Sequence, residues 1–266
     1  GDNLGFSFSS IAYLEVEKLK ETFKGNLVDV TKEIMYTRAI KDRDEIKQIR
    51  KASEITSKTF SKVPQMLEDG MTETELSLKI EFDLRNNGAS SLSYESIVAF
   101  GANSSLPHYE SSSSELKPGD FILLDFAGKY NRYCSDMTRT FFFRSASHEE
   151  KSIYDTVLEA QIIGLDALIP GAIAKDVHDA VAKFIDSTKY KGKFIHSLGH
   201  GIGLETHDAL GLSPISDYPI EENMVFTVEP GVYIPGFGGV RIEDTVVIRK
   251  GEPEILTNYT KDLMVI

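Results

Sequence analysis

The sequence predicts an α+β fold of two pseudo-symmetric halves, each with helices packed on antiparallel strands, because three kinds of segment occur twice in the same order. One helix ends at Gly70 and another opens in LEDGMTETELSLKIEFDL; later LIPGAIAKDVHDAVAKFI makes the same move around Gly171. FGANSSLPH leads to His108 as GHGIGLETH leads to His207, each with glycine upstream of the histidine. Two strand pairs follow, FILLDFAG with SDMTRTFFF and MVFTVEPG with RIEDTVVI.

Before the repeat, residues 4–8 (LGFSF) read as a strand, 9–23 as a helix opened by Ser9 or Ser10, and 27–30 (LVDV) as a second strand. These pieces cannot bury a core alone, and they read as the tail end of a domain whose earlier part lies outside this chain. From TRAIKDRDEIKQIRKASEITSKTF the pattern turns helical, with Ile46, Ile49, Ala52 and Ile55 on one stripe, so the main domain is expected to start near Ile34. Ser111 to Ser114 is a polar loop by composition.

With 266 residues and 41% hydrophobic content, the chain can supply a sizeable core. A net charge of −12, with no Lys/Arg-rich run, argues against nucleic acid or an anionic membrane as partner. The single Cys134 excludes an internal disulfide framework. With no signal peptide and no apolar run of about 18 residues, the expected location is cytoplasmic.

Asp125 and Asp136 sit in apolar, β-prone flanks and are separated by ten residues. A hairpin turning at Tyr130 and Asn131 would set them opposite one another, with Cβ atoms roughly 5 Å apart. Like charges at that distance destabilise the pair unless one is protonated or a cation sits between them. Glu229 and Glu243 repeat the puzzle around Pro235 and Gly236. Any one of these acids alone reads as a solvent-facing strand residue, yet FILLDF and MVFTVEPG are too apolar for surface strands. If the two hairpins pack together, four negative charges meet in the core, which two divalent cations would neutralise.

In HSLGHGIGLETHD, three of the six histidines cluster: His196, His200 and His207. His200 lies among glycines that allow close approach, four residues from His196 on what reads as one strand face. Four carboxylates with one imidazole form an oxygen-rich set, suiting manganese, or cobalt, better than the nitrogen and sulfur ligation of structural zinc.

In family order, LLDFAGKYNRYCSDMTRTF, GANSSLPHY, HSLGHGIGLETHD and VEPGVYIPGFGGVRIEDTVVI resemble the pita-bread metallopeptidases, in the branch of Xaa-Pro aminopeptidases (aminopeptidase P) and prolidases. The resemblance implies a pita-bread (creatinase/aminopeptidase) fold over residues 32–266, with helices on a curved antiparallel sheet. Residues 1–31 resemble the close of the family's N-terminal domain. It further implies two divalent metal ions, manganese first with cobalt or zinc as alternatives. Asp125 would bind one metal, His200 and Glu229 the other, and Asp136 and Glu243 would bridge them. His108, His196 and His207 match the family's substrate-side histidines, and Arg241 matches the arginine two residues before the last ligand. The implied chemistry is attack by a metal-activated hydroxide on the bond before proline. Glu229 would relay the proton, His108 and His207 would stabilise the oxyanion, and His196 and Arg241 would bind substrate. The implied partners are short proline-containing peptides, and the implied assembly is a homodimer.

The chain departs from the family at Arg132 and Ala127, where glycine is usual. Prolidases often carry an arginine soon after the His-Asp pair, and Asp208-Ala209-Leu210-Gly211 has none, so aminopeptidase is expected ahead of prolidase. A metal-free binding module of the same fold is disfavoured, because all five ligand types are kept. Cys134 reads as a small buried residue, not a nucleophile. Tyr109, Tyr133 and Tyr233 read as core, not as a proline pocket. No glycine run has the GxGxxG spacing of a dinucleotide fold.

Overall fold

In a computed structural model describing residues 2–266, the chain opens with β1 (Asn3–Phe6), α1 (Tyr13–Thr22) and β2 (Asn26–Asp29). The two strands pair in parallel. α1 starts at Tyr13, not at Ser9 or Ser10, because the Ser9 hydroxyl is engaged with Ser7 (2.9 Å) and caps nothing. None of its residues is buried.

The first half holds α2 (Thr31–Ala39), α3 (Arg43–Phe60) and α4 (Glu73–Asn86), then β3 (Ser91–Leu92), β4 (Ile97–Phe100), β5 (Phe121–Asp125), β6 (Gly128–Lys129) and β7 (Thr138–Phe142). α3 begins in a capping box: the Asp42 carboxylate accepts from the backbone of Asp44 and Glu45, and Glu45 reaches back to Asp42 N. Such a cap contributes about 1 kcal/mol. The expected stripe of Ile46, Ile49, Ala52 and Ile55 is buried. β4, β5 and β7 form an antiparallel sheet, and β3 pairs with β6.

The second half holds α5 (His148–Ala167), α6 (Ala174–Asp186), β8 (Gly199–His200), β9 (Gly211–Leu212), β10 (Val225–Val228), β11 (Gly231–Ile234), β12 (Gly238–Arg241), β13 (Asp244–Val247) and β14 (Glu254–Ile255). β10, β13 and β14 form its main sheet, alongside the pairs β11–β12 and β8–β9. Ile55, Phe60, Leu76 and Ile80 pack under β5 in one core; Ile153, Val157 and Val181 pack against Phe226 and Val228 of β10 in the other. Fully burying each such side chain contributes about 1.5–3 kcal/mol. No helix among the described residues is long and apolar enough to cross a membrane.

The repeat extends to individual hydrogen bonds. Ahead of α4, Gly70 N donates to Leu116 O, Leu116 N to Met71 O, Glu73 N to Ser114 O and Thr74 N to Ser112 O. Ahead of α6, Gly171 N donates to Ile220 O, Ile220 N to Ala172 O, Ala174 N to Tyr218 O and Lys175 N to Ser216 O. Gly70 and Gly171 take φ of 73° and 89°, a region open to glycine at no steric cost.

The first hairpin has a different register from the one its sequence suggests. Asp125 pairs with Thr138, and Tyr130 bridges to Tyr133, so the turn residues are Asn131 and Arg132 at φ 45° and 76°. Two successive left-handed residues make the tight turn that matches strand twist. Asp136 therefore lies just outside the β5–β7 ladder, diagonal to Asp125. Glu229 and Glu243 do face each other, as the next pair beyond Val228 and Asp244.

The halves are stitched together by Arg139, which is buried. Its guanidinium donates to the carbonyls of Thr138 (2.9 Å), Glu243 (2.5 Å), Tyr259 (2.9 Å) and Thr260 (2.9 Å), and to the Asp244 carboxylate (2.8 Å). Arg139→Ala strands Asp244 in the core and is expected to cost about 3–5 kcal/mol in urea unfolding, although Lys261 stands 3.0 Å from the same carboxylate. A loss below 1 kcal/mol would contradict this account.

Candidate metal centre

Each hairpin places one carboxylate as its outgoing strand ends and one where its return strand begins. Asp125 closes β5 and Asp136 precedes β7; Glu229 follows β10 and Glu243 precedes β13. Glu243 N donates to Thr138 O (3.1 Å) and the Thr138 hydroxyl to Glu243 Oε2 (2.6 Å), which locks the hairpins together at the acids. His200 ends β8, its backbone held by the Thr227 hydroxyl (3.0 Å). All nine residues singled out from the sequence, His108, Asp125, Asp136, His196, His200, His207, Glu229, Arg241 and Glu243, line one cavity of about 680 Å³.

His200 Nδ1 hydrogen-bonds Gly201 O (3.0 Å), so Nε2 faces the acids, 3.4 Å from Asp136 and 3.6 Å from Glu229. The donor atoms of Asp136, His200 and Glu243 lie within 4.8 Å of one another. A cation with bonds of about 2 Å would close that spacing with small side-chain adjustments. Four carboxylates meet there, and Arg241 is the one lysine or arginine among the lining residues. Its Nη2 pairs with Asp125 at 2.5 Å, and its remaining nitrogens donate to the hydroxyls of Thr138 and Tyr233.

The protonation tendencies express this imbalance. Burial first, then Asp136, Glu229 and Asp125, push Glu243 well above the ordinary carboxylate range. Burial raises Asp136 as well. Burial, with Asp136 and Asp125, lifts Glu229 to about 7 against the pull of His200 and Arg241. Burial alone would lower His200, but its contacts with Asp136 and Glu229 outweigh that and raise it to about 9. The side chains hold protons where a cation would supply the missing positive charge, so the donor set fits a divalent metal.

Residues 47–250 match metallopeptidase family M24. The chain belongs to this family. An Xaa-Pro dipeptidase of Pyrococcus furiosus is 38% identical over 260 residues, covering 96% of this chain and 74% of its own. An Xaa-Pro dipeptidase from Bacillus anthracis superposes with a TM-score of 0.96 at 38% identity, covering 100% of this chain and 75% of that one. An X-Pro aminopeptidase from Thermotoga maritima gives 0.94 at 35%, covering 100% and 76%. The fold is thus the pita-bread fold of the M24 metallopeptidases, as the motifs imply.

Other parts of the M24 cavity differ from the sequence reading. His196 is not on a strand face with His200, because β8 holds only Gly199 and His200. It lines the cavity from a loop, with Nδ1 at Ser197 O (2.8 Å) and Nε2 at the Tyr233 hydroxyl (2.9 Å). Burial, with Arg241 nearby, lowers it to about 4, so the ring is neutral at pH 7. His207 lies against His200 with ring centroids 4.2 Å apart and planes tilted by 51°, and burial lowers it too. Tyr109, expected in the core, is part of the cavity wall. Tyr233 is buried beneath it, and Tyr133 bonds Glu45 (3.0 Å). Cys134 is buried, and burial raises its thiol.

Sequence reasoning missed Tyr94. Its hydroxyl lies against both Asp125 and Asp136, joining the two acids of the first hairpin. Burial and those acids push its pKa well above the usual phenol value, so it stays a donor. Its stretch, SLSYESIV, carries no local signal of that role.

Proposed function

We propose that this metallopeptidase hydrolyses the bond before proline in short peptides, with Xaa-Pro dipeptides as its preferred substrates. The carrying observation is the convergence of five oxygen and nitrogen donors with three further histidines and Arg241 in one cavity. The dipeptide preference follows the Xaa-Pro dipeptidases named above, at 38% identity. Asp125, Asp136, His200, Glu229 and Glu243 would hold two divalent ions, manganese first, with Asp136 and Glu243 shared between them. Bound, the ions supply the Lewis acidity that makes water nucleophilic near neutral pH and polarises the scissile carbonyl.

The chain's own groups do the rest. Glu229, whose side chain is 18% exposed against 6% for Asp136, is the carboxylate best placed to relay a proton to the leaving nitrogen. Neutral His207 donates to the developing oxyanion together with His108. His196, fixed through Tyr233, orients the substrate. Arg241 lines the cavity and pairs with Asp125, holding that carboxylate in place. The catalytic domain spans residues 32–266, and the enzyme is a cytoplasmic homodimer.

A second reading, Xaa-Pro aminopeptidase, is favoured by one observation. Among the described residues, Arg241 is the sole lysine or arginine lining the cavity and is already bonded to Asp125 and Tyr233, leaving no free guanidinium for a dipeptide's carboxylate. A manganese-supplemented assay offering Ala-Pro and Ala-Pro-Ala side by side decides between them. Preferred cleavage of Ala-Pro supports the dipeptidase, release of alanine from the tripeptide alone supports the aminopeptidase, and silence on both removes the function.

A further inference from the structure

Glu73, in the first turn of α4, is fully buried outside the acid cluster, and its carboxylate accepts five hydrogen bonds. Oε1 accepts from Phe100 N (2.8 Å) and Asn103 Nδ2 (2.9 Å). Oε2 accepts from the Tyr109 hydroxyl (2.9 Å), Ser112 N (3.0 Å) and the Ser112 hydroxyl (2.8 Å). All five donors belong to residues 100–112, which run from the end of β4 toward β5, carry His108 and form one wall of the cavity. One side chain therefore grips both ends of the loop and the residue next to His108.

The molecule contains its own control. In the second half Ala174 stands where Glu73 stands in the first, and the same backbone bonds dock the following strand onto the helix without any carboxylate. The helix–strand junction does not require Glu73. What the first half adds is the wall bearing His108. We propose that Glu73 is a positioning residue, holding segment 100–112 so that His108 meets the substrate. The inference rests on reading His108 as a group that touches the substrate.

A carboxylate suits the task, because each oxygen accepts from a backbone N–H that can only donate, Oε1 from Phe100 N and Oε2 from Ser112 N. Glutamine would turn an NH₂ toward Tyr109 and Ser112, leaving donors unmatched, while aspartate is one methylene too short to reach both ends. A displacement of His108 by about 1 Å suffices for a large loss of rate without loss of the fold.

The test is a double-mutant cycle on the manganese-loaded enzyme with Ala-Pro, comparing wild type, Glu73→Gln, His108→Ala and the double variant, with melting curves for each. Glu73→Gln is expected to lower kcat about tenfold or more while KM changes by less than about threefold, and to lower kcat by less than about threefold once His108 is alanine. Equal fold losses in both backgrounds, or no loss at all, would overturn the proposal. If Glu73→Gln does not fold, Tyr109→Phe takes its place in the same cycle, with a smaller loss that must likewise vanish in the His108→Ala background. Full activity in His108→Ala alone would remove the assigned role of His108, and the inference with it. A normal defect there with an additive cycle rejects Glu73 only.

Discussion

Glutamine at Glu243 is expected to cut Ala-Pro hydrolysis by roughly a thousandfold or more, the scale of losing several kcal/mol of transition-state stabilisation. The same change is expected to make the metal-free protein more stable. Glu243 is 1% exposed and faces Asp136 and Glu229, with the Thr138 hydroxyl on its Oε2. Glutamine keeps an oxygen for Thr138 but imposes permanently the neutral state that burial and like charges already favour. The gain should be about 1–3 kcal/mol, or some 2–4 °C of melting temperature per kcal/mol for a chain of this size. Manganese should raise the melting temperature of the wild type and leave the variant nearly unmoved, because the carboxylate proposed to be shared by both ions is gone. Thermal melts with and without manganese, beside the activity assay, check all three. A variant that melts lower without metal, or that turns over normally, would reject Glu243 as a ligand held against its own electrostatics.

Why one hairpin was legible and the other was not comes down to turn chemistry. Pro235 and Gly236 mark the second turn, a three-residue loop between the paired Ile234 and Gly238 with Gly236 at its centre at φ 76°, and counting seven residues each way from Gly236 sets Glu229 against Glu243. The first turn has no such marker. Arg132 occupies left-handed backbone at φ 76°, a conformation that turn preferences assign to glycine or asparagine, so the count centres too early. The carboxylates still meet, because Asp125 and Asp136 lie diagonally on the same face. The stripe of Ile46, Ile49, Ala52 and Ile55 was readable for the opposite reason: helical periodicity is local and needs no partner.

The residues that escaped are those whose roles exist only across the fold. Tyr94 reaches Asp125 and Asp136 over 31 and 42 residues of chain. Asp208, an ordinary loop acid in the sequence, is buried against Arg38 at 2.8 Å and Lys41 at 3.8 Å, which ties α2 to the segment carrying His207. Neither contact has a spacing rule, since each depends on how separate elements stack. The proposed ligands were readable because an acid in an apolar strand is locally anomalous, whereas a tyrosine before a strand is not.

Metal binding should strengthen steeply with pH, by roughly two orders of magnitude or more between pH 5.5 and 7.5, because the ligands must release protons that the metal-free cluster holds. Glu229 has a folded-state value of about 7 against an ordinary 4.5. Between those values the folded chain keeps a proton that the unfolded chain has lost, so the metal-free protein loses stability as pH climbs through that window. His200 is raised from 6.5 to about 9, so the stability contributed by its pairing with Asp136 and Glu229 is full below pH 6.5 and is lost as pH rises through 9. Both signs agree: rising pH loosens the metal-free site and readies it for a cation. The manganese-induced gain in melting temperature should therefore be larger at pH 7.5 than at pH 5.5, and titration calorimetry in buffers of different ionisation enthalpy should show proton release falling by about one as Glu229 titrates. Equal gains at both pH values with no proton release would mean that the cation binds away from this cluster, and the assignment of Asp136, His200, Glu229 and Glu243 as ligands would fall with it.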